Sequence, residues 1–144
     1  MENKNNYQTL KQKYDKFMYV EERNKKGHVI IDLNHFNKSQ YKNTESIFIQ
    51  YSMFVILESL KISENNNNDN KIIVHVNMVG TTRDNFSLKF FKKVNKFLDD
   101  VFPQEIMEVC YVYSKSKLAM ILWKLIKPVV HPVSRDKFKI INIK

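Results

Sequence analysis

Four runs of apolar, β-branched and aromatic residues set the pattern of this chain and predict the strands of a single sheet. They lie near residues 28–33, 71–78, 107–113 and 138–143. Between them lie segments whose apolar residues recur at helical spacing, so strands and helices alternate along the chain. Strands joined in this way are normally parallel. We therefore predict an α/β fold with a mostly parallel four-stranded sheet and helices on both faces.

The intervening segments predict four helices. An amphipathic helix is expected over residues 7–24, packed on the domain by one face. Residues 44–60 are apolar nearly all the way round, which predicts a core helix buried on more than one side. Apolar stripes over residues 86–101 and 117–127 predict two further helices. The asparagine-rich stretch 65–70 is expected to be a solvated loop.

The length of the chain suits one hydrophobic core. It has 144 residues, of which 43% are hydrophobic, and single domains are most often about 100–150 residues long. We predict a polar tail with an amphipathic helix at residues 1–26 and a single α/β domain at residues 27–144.

Lysine dominates the charge of the protein. There are 24 basic and 15 acidic residues, so the net charge is +9, which suits an anionic membrane surface or a nucleic acid. Only Arg23, Arg83 and Arg135 are arginine, and the lysines are spread along the whole chain. Because there is no basic stripe interleaved with aromatic residues, a nucleic-acid partner is disfavoured.

Residues suited to catalysis or metal binding are sparse. Cys110, the one cysteine, falls in a predicted core strand, which fits a small buried hydrophobe in a reducing compartment. The histidines show no metal-ligand spacing, and no glycine-rich phosphate loop is present. We therefore expect no enzymatic activity, no metal and no cofactor. Because no signal peptide or membrane span is expected, we predict a cytoplasmic location.

The second half of the chain contains a spaced set of motifs that resembles the CRAL-TRIO lipid-binding domains. The strand IIVHVNMVG, which begins at Ile72, leads into an amphipathic helix. An aromatic-proline pair, Phe102 and Pro103, precedes the next strand. The remaining matches are the WKLIKP helix end and the turn before the last strand: Trp123, Lys124, Lys127, Pro128, Pro132, Ser134 and Lys137.

This resemblance implies a non-enzymatic lipid-binding module that is peripheral at membranes. Its ligand would be a phospholipid or another hydrophobic molecule, and its basic surface would meet an anionic membrane. The resemblance also implies two groups of site residues. A head-group site is expected at Lys124, Lys127, Arg135 and Lys137. An apolar groove is expected at Met53, Phe54, Phe90 and Trp123.

Departures from the family pattern suggest an alternative function. Gln104 stands where many phosphoinositide-binding members have an acidic residue that works with the lysine matched by Lys137, and Asn77 stands where the family usually has Asp. The chain ends at Lys144, before segments that in the family include the gate over the pocket, so we expect a shallow groove. The alternative is a protein-interaction or scaffold domain of the BCH type, covered by a partner or a second copy.

Overall fold

The protein forms an alternating α/β fold, with a long helix and a hairpin near its beginning. The computed structural model describes residues 2–39, 45–67, 70–102 and 105–143. The strands within these residues are β1 (Met18–Arg23), β2 (Lys26–Asp32), β3 (Ile72–Asn77), β4 (Met107–Ser114) and β5 (Phe138–Asn142). The helices are α1 (Glu2–Tyr14), α2 (Glu45–Asn67), α3 (Leu88–Val101), α4 (Leu118–Ile126) and the short α5 (Pro132–Arg135).

The strands form one sheet in the order β1-β2-β3-β4-β5. β1 is antiparallel to β2, and each later strand is parallel to the one before it. The predicted α/β class and mostly parallel sheet are therefore confirmed. The four predicted strands correspond to β2, β3, β4 and β5, and β1 adds a fifth.

The crossover helices α2, α3 and α4 lie on the same face of the sheet. Parallel strands that are neighbours both in sequence and in the sheet are joined by right-handed crossovers, which all return on one side. Val29 and Val74 point to this helical side. Because side chains alternate along a strand, their neighbours His28 and His75 lie on the opposite face. Helices were expected on both faces of the sheet, and this strand order explains why the connections use only one.

Residues 18–23, which helical spacing assigned to the first helix, form β1 instead. α1 ends at Tyr14, and β1 pairs with β2 along its whole length. The two strands are joined by Asn24 and Lys25, whose φ angles are 53° and 64°. Positive φ at both central residues is what a tight type I′ hairpin turn requires. The hairpin therefore replaces the second half of the predicted helix over residues 7–24.

Helix α2 is the core helix, as predicted. Phe48, Tyr51 and Val55 are completely buried. α2 approaches β2 so closely that a Cβ atom on Gly27 would lie 2.0 Å from the carbonyl oxygen of Ser59. Among the described helices, α2 alone has the length and apolar composition of a membrane span. Its burial against the sheet is what the central helix of an α/β domain shows.

Several helix ends differ from those predicted. α2 continues to Asn67, so the first part of the predicted loop at 65–70 is helical. Thr44, the predicted first residue of α2, lies outside the described residues. α3 begins after Ser87, whose side chain accepts a backbone N–H of the first turn. This N-cap replaces the predicted cap at Asp84 or Asn85, which instead lie in a short 3₁₀ turn.

Candidate functional site

A cavity of about 580 Å³ lies between the sheet and helices α2, α3 and α4. Every strand contributes to its floor, because alternate residues of each strand point toward the helices. From β1 to β5, these floor residues include Met18, Val29, Val74, Cys110 and Phe138. The floor is therefore a continuous apolar surface that crosses the whole sheet.

Helix α3 forms much of the cavity roof. Its apolar residues Phe90, Val94 and Leu98 line the cavity, yet no residue of α3 is fully buried. A helix packed directly on a sheet buries such a stripe. α3 therefore stands away from the sheet, and the space beneath it is the cavity.

Helix α4 closes the cavity over β4 and β5. Ala119 and Leu122 are buried against the sheet, and the Trp123 ring lies 4.8 Å from the Phe138 ring, measured between centroids. The site expected to be a shallow groove is therefore a cavity of about 580 Å³ that is partly open to solvent. The segment between β4 and β5 folds back as α4 and supplies a roof within the described part of the chain.

The structure separates the four residues predicted for the apolar groove. Phe90 and Trp123 line the cavity, from α3 and α4. Phe54 instead stacks on Tyr7 of α1, with ring centroids 5.2 Å apart, and Met53 is half-buried on α2 outside the cavity lining. The difference arises because α2 is apolar on several sides, and one of those sides packs against α1.

A polar cluster lies at the edge of the cavity, where β3, β4 and β5 begin. We call it the Glu105 cluster, and it consists of Lys71, Glu105, Ser134 and Lys137. The Ser134 hydroxyl donates to Glu105 Oε2 at 2.5 Å, and Lys137 Nζ lies 3.6 Å from the same oxygen. Lys71 Nζ donates to the backbone carbonyl of Glu105 at 2.5 Å. Glu105 and Ser134 also line the cavity, so the cluster connects its interior with the surface.

The contacts of Glu105 keep its carboxylate ionised. Burial alone raises the pKa of this carboxyl, but hydrogen bonds from Ser134 and from the Met107 backbone N–H outweigh that effect. The nearby lysines Lys137 and Lys71 lower the pKa further, so that it lies below its ordinary value. The cluster is therefore a fixed negative charge placed between two positive ones.

The finding at Glu105 corrects the expectation that Lys137 has no acidic partner. Gln104 and Pro103 lie outside the described residues. The next residue, Glu105, supplies the carboxylate that contacts Lys137. The signal in the sequence is an acidic residue two positions after the aromatic-proline pair, whereas the family pattern places it one position after the pair.

The other predicted head-group residues lie apart from this cluster. Arg135 Nε donates to the backbone carbonyls of Lys127 at 3.0 Å and Val130 at 3.1 Å, so its guanidinium holds the end of α4. The side chains of Lys124, on α4, and of Lys127, directly after α4, are exposed. Of the four predicted residues, the structure brings only Lys137 into the Glu105 cluster among the described contacts.

The outer side of α4 is unusually apolar. Met120, Ile121 and Leu125 are 51%, 46% and 53% exposed. We call these three residues the α4 surface patch. The exposed Lys124 lies on the same helix. Isolated exposed apolar residues are normal, whereas a grouped set marks a surface suited to interaction.

A sequence comparison identifies the family. The family model of the CRAL/TRIO domain matches residues 13–144. Because this match covers most of the chain, the protein belongs to the CRAL/TRIO domain family, and the resemblance seen in the motifs is confirmed. The match includes β1, which is hydrogen-bonded to β2 in the same sheet.

A comparison of structures agrees on the fold. The crystal structure of Sfh5 is similar to this chain with a TM-score of 0.70 and 16% sequence identity. The similarity covers 90% of this chain and 50% of the Sfh5 chain, so this chain spans about half of that structure. No curated protein matches the chain in sequence.

Proposed function

We propose that the protein is a non-enzymatic, cytoplasmic lipid-binding module that associates peripherally with membranes. The observation that carries this proposal is the cavity of about 580 Å³, with an apolar floor drawn from every strand and a charged cluster at one edge. Small-molecule pockets usually measure about 300–1,000 Å³ and combine apolar walls with a few polar groups that fix orientation. Membership of the CRAL/TRIO family supports a lipid as the occupant.

The Glu105 cluster is suited to the polar end of such a ligand. Glu105 and Ser134 face the cavity, and Lys137 lies beside them. A hydroxyl of a head group can donate to the carboxylate, and a phosphate can accept from the Lys137 ammonium. The hydrocarbon part then lies along the floor, where burying each CH₂ group contributes about 0.8 kcal/mol.

Native mass spectrometry of the protein purified under mild conditions tests lipid binding. We expect a 1:1 lipid adduct, which Val74→Trp abolishes because the new ring fills the middle of the floor. Ile73→Trp is the matched control, since Ile73 neighbours Val74 but points to the opposite face. If neither the purified protein nor the protein incubated with lipids forms an adduct, the proposed function is wrong.

We propose that the α4 surface patch is the part of the protein that meets the membrane. Its apolar side chains are positioned to enter the boundary between head groups and acyl chains. Lys124 on the same helix adds attraction to anionic lipids, about 1 kcal/mol for each basic residue near the surface. The patch lies on the helix that roofs the cavity, so a membrane bound there is next to the proposed lipid site.

Vesicle co-sedimentation tests the membrane surface. Leu125→Glu should weaken binding to anionic vesicles by at least about tenfold, because it places a charge in the apolar patch. Leu57→Glu is the control, because Leu57 is 47% exposed on α2 and lies outside the patch. Equal effects of the two substitutions would exclude the α4 surface patch as the docking surface.

The alternative of a protein-interaction domain also depends on the α4 surface patch. It was expected from the loss of an enclosed pocket, and the described residues form a cavity that is partly open. Sedimentation of the purified protein distinguishes self-association from membrane binding. A dimer that Leu125→Glu converts to a monomer, together with absent vesicle binding, would favour the alternative.

A further inference from the structure

The dimensions of the cavity restrict the kind of lipid that it accepts, if the proposed function holds. Floor residues come from every strand from β1 to β5. Neighbouring strands lie about 4.8 Å apart, so the four spacings between five strands give a floor about 19 Å long across the sheet. Carbon–carbon bonds of about 1.5 Å at angles near 111° advance an extended chain by about 1.25 Å per bond. The floor therefore matches a hydrocarbon chain of about 15 or 16 carbons.

The volume of the cavity, which is partly open to solvent, sets how much hydrocarbon it can bury. An apolar protein cavity of about 150 Å³ accepts benzene, which corresponds to about 25 Å³ for each carbon. On this scale the cavity of about 580 Å³ holds roughly 23 carbons. Two chains of 16 carbons need room for 32 carbons, before any head group is added. One such chain fits with space remaining.

The same volume can be expressed as a mean cross-section of the cavity. Dividing the volume of about 580 Å³ by the length of about 19 Å gives a mean cross-section of about 30 Å². A chain that occupies about 25 Å³ per carbon and advances about 1.25 Å per carbon has a cross-section of about 20 Å². Two parallel chains require about 40 Å², which exceeds the available width.

We infer that the cavity binds one hydrocarbon chain at a time, so the ligand is a single-chain lipid of about 14–20 carbons. The chain crosses the sheet beneath α3 and α4. Its polar end lies at the β5 end of the Glu105 cluster, beside Lys137, so that the chain runs from β5 toward β1. When a two-chain phospholipid binds, one of its chains stays outside the cavity, so burial of that chain does not contribute to the binding free energy.

Competition between lipids that share a head group but differ in chain number tests this inference. The protein is incubated with equal concentrations of lysophosphatidylcholine and phosphatidylcholine, both with 16-carbon chains. The two protein–lipid adducts are then quantified by native mass spectrometry. Fluorescence of Trp123, the one tryptophan and a cavity residue, follows each titration separately. We expect at least about tenfold preference for the single-chain lipid. Equal or stronger binding of the two-chain lipid overturns the inference but leaves the proposed function standing.

A series of single-chain lipids from 8 to 24 carbons with the same head group tests the length of the floor. We expect binding to be strongest near 16 carbons in the wild-type protein. Val29→Phe fills the floor above β2 and should shorten the preferred chain by about four carbons, the length of one strand spacing. Ile141→Phe, on an exposed position of β5 outside the cavity lining, should leave the optimum unchanged. An optimum above 20 carbons in the wild-type protein, or binding of neither lipid class, contradicts the inference, and the second result also removes the proposed function.

Discussion

His28 Nδ1 lies 2.8 Å from His75 Nε2, on the face of the sheet opposite the cavity. Both residues are buried, with 8% and 7% exposure, and their rings are stacked with centroids 5.1 Å apart. The other ring nitrogen of His75 is 2.8 Å from the Tyr113 hydroxyl. A neutral pair satisfies the short contact, because one ring donates its N–H to the bare nitrogen of the other. Two protonated rings would bring two N–H groups against each other.

This pair predicts that the protein loses stability in mildly acidic solution. Burial lowers the pKa of His28, and the charge of Arg23 adds to the effect. Burial and the neighbouring His28 lower the pKa of His75. Because the unfolded chain titrates near pH 6.5, it binds protons that the folded pair excludes, so stability is constant above about pH 7 and falls below pH 6.5. The slope is at most about 1.4 kcal/mol per pH unit for each excluded proton.

Denaturant unfolding between pH 7.5 and pH 5 measures this loss. Carboxylates with lowered pKa values, such as that of Glu105, contribute only below about pH 4.5, so this window isolates the histidines. Glu21 and Arg23 of β1 lie near the pair and are present in every variant. The variant His75→Gln keeps a polar group and should flatten the profile. An unchanged slope in His75→Gln would assign the pH dependence to other groups.

The sequence predicted the parallel strands well because each is a continuous apolar run. It misplaced β1 because Tyr14, Phe17 and Met18 also fit helical spacing, and the turn at Asn24 and Lys25 has no glycine to mark it. Residues 18–23 form a strand because they pair with β2, and a local sequence pattern gives no information about such pairing. Tertiary pairing overrides local preference in such segments.

The candidate site was harder to predict than the fold. Aromatic residues such as Phe90 show the same sequence pattern whether they fill a core or line a cavity. Which of the two occurs depends on the distance between α3 and the sheet. The contact between Glu105 and Lys137 joins residues 32 positions apart and depends on where β4 and β5 begin. The histidine pair likewise depends on the register of β2 against β3.

The close packing of α2 on β2 predicts that Gly27→Ala is strongly destabilising. The new Cβ would lie 2.0 Å from the Ser59 carbonyl oxygen and 2.5 Å from its hydroxyl oxygen, so the helix backbone must shift. Overpacking of this kind costs about 1–3 kcal/mol or more. The control is Gly80→Ala, where the Cβ meets only Asn34 Oδ1 at 3.4 Å and the cost comes from a φ of +83°. Chemical denaturation should show the larger loss for Gly27→Ala, and the reverse order would contradict the packing.

Cys110 should be almost unreactive in the native protein. Its side chain is buried on the cavity floor, and burial raises the pKa of the thiol to about 12. At pH 8 the thiolate fraction is then smaller than that of a free cysteine by a factor on the order of a thousand. Labelling with a thiolate-specific reagent should therefore be slow until denaturant exposes the residue. Rapid labelling of the folded protein would show that the floor of the cavity opens to solvent.

Lys137 and Lys139 provide a matched test of head-group binding, because both are on or next to β5 and differ in their surroundings. Lys137 belongs to the Glu105 cluster, whereas Lys139 is exposed within β5, where it pairs with Tyr111. The substitutions Lys137→Met and Lys139→Met each remove one positive charge and keep the apolar stem. If Lys137 contacts the lipid phosphate, Lys137→Met should weaken binding of a phosphate-bearing lipid by about tenfold, which corresponds to about 1.4 kcal/mol.

The same measurement distinguishes a specific contact from general electrostatic attraction. Lys139→Met changes the net charge by the same amount but removes no contact with the Glu105 cluster. It should therefore weaken lipid binding less than about twofold, and only through the electrostatic attraction that salt screens. Glu105→Gln completes the set, because it frees Lys137 from its carboxylate partner and should strengthen binding of a phosphate while weakening binding of a head group recognised through its hydroxyl. Equal losses from Lys137→Met and Lys139→Met would mean that bulk charge alone acts. The Glu105 cluster would then have a purely structural role, in fixing the starts of β4 and β5.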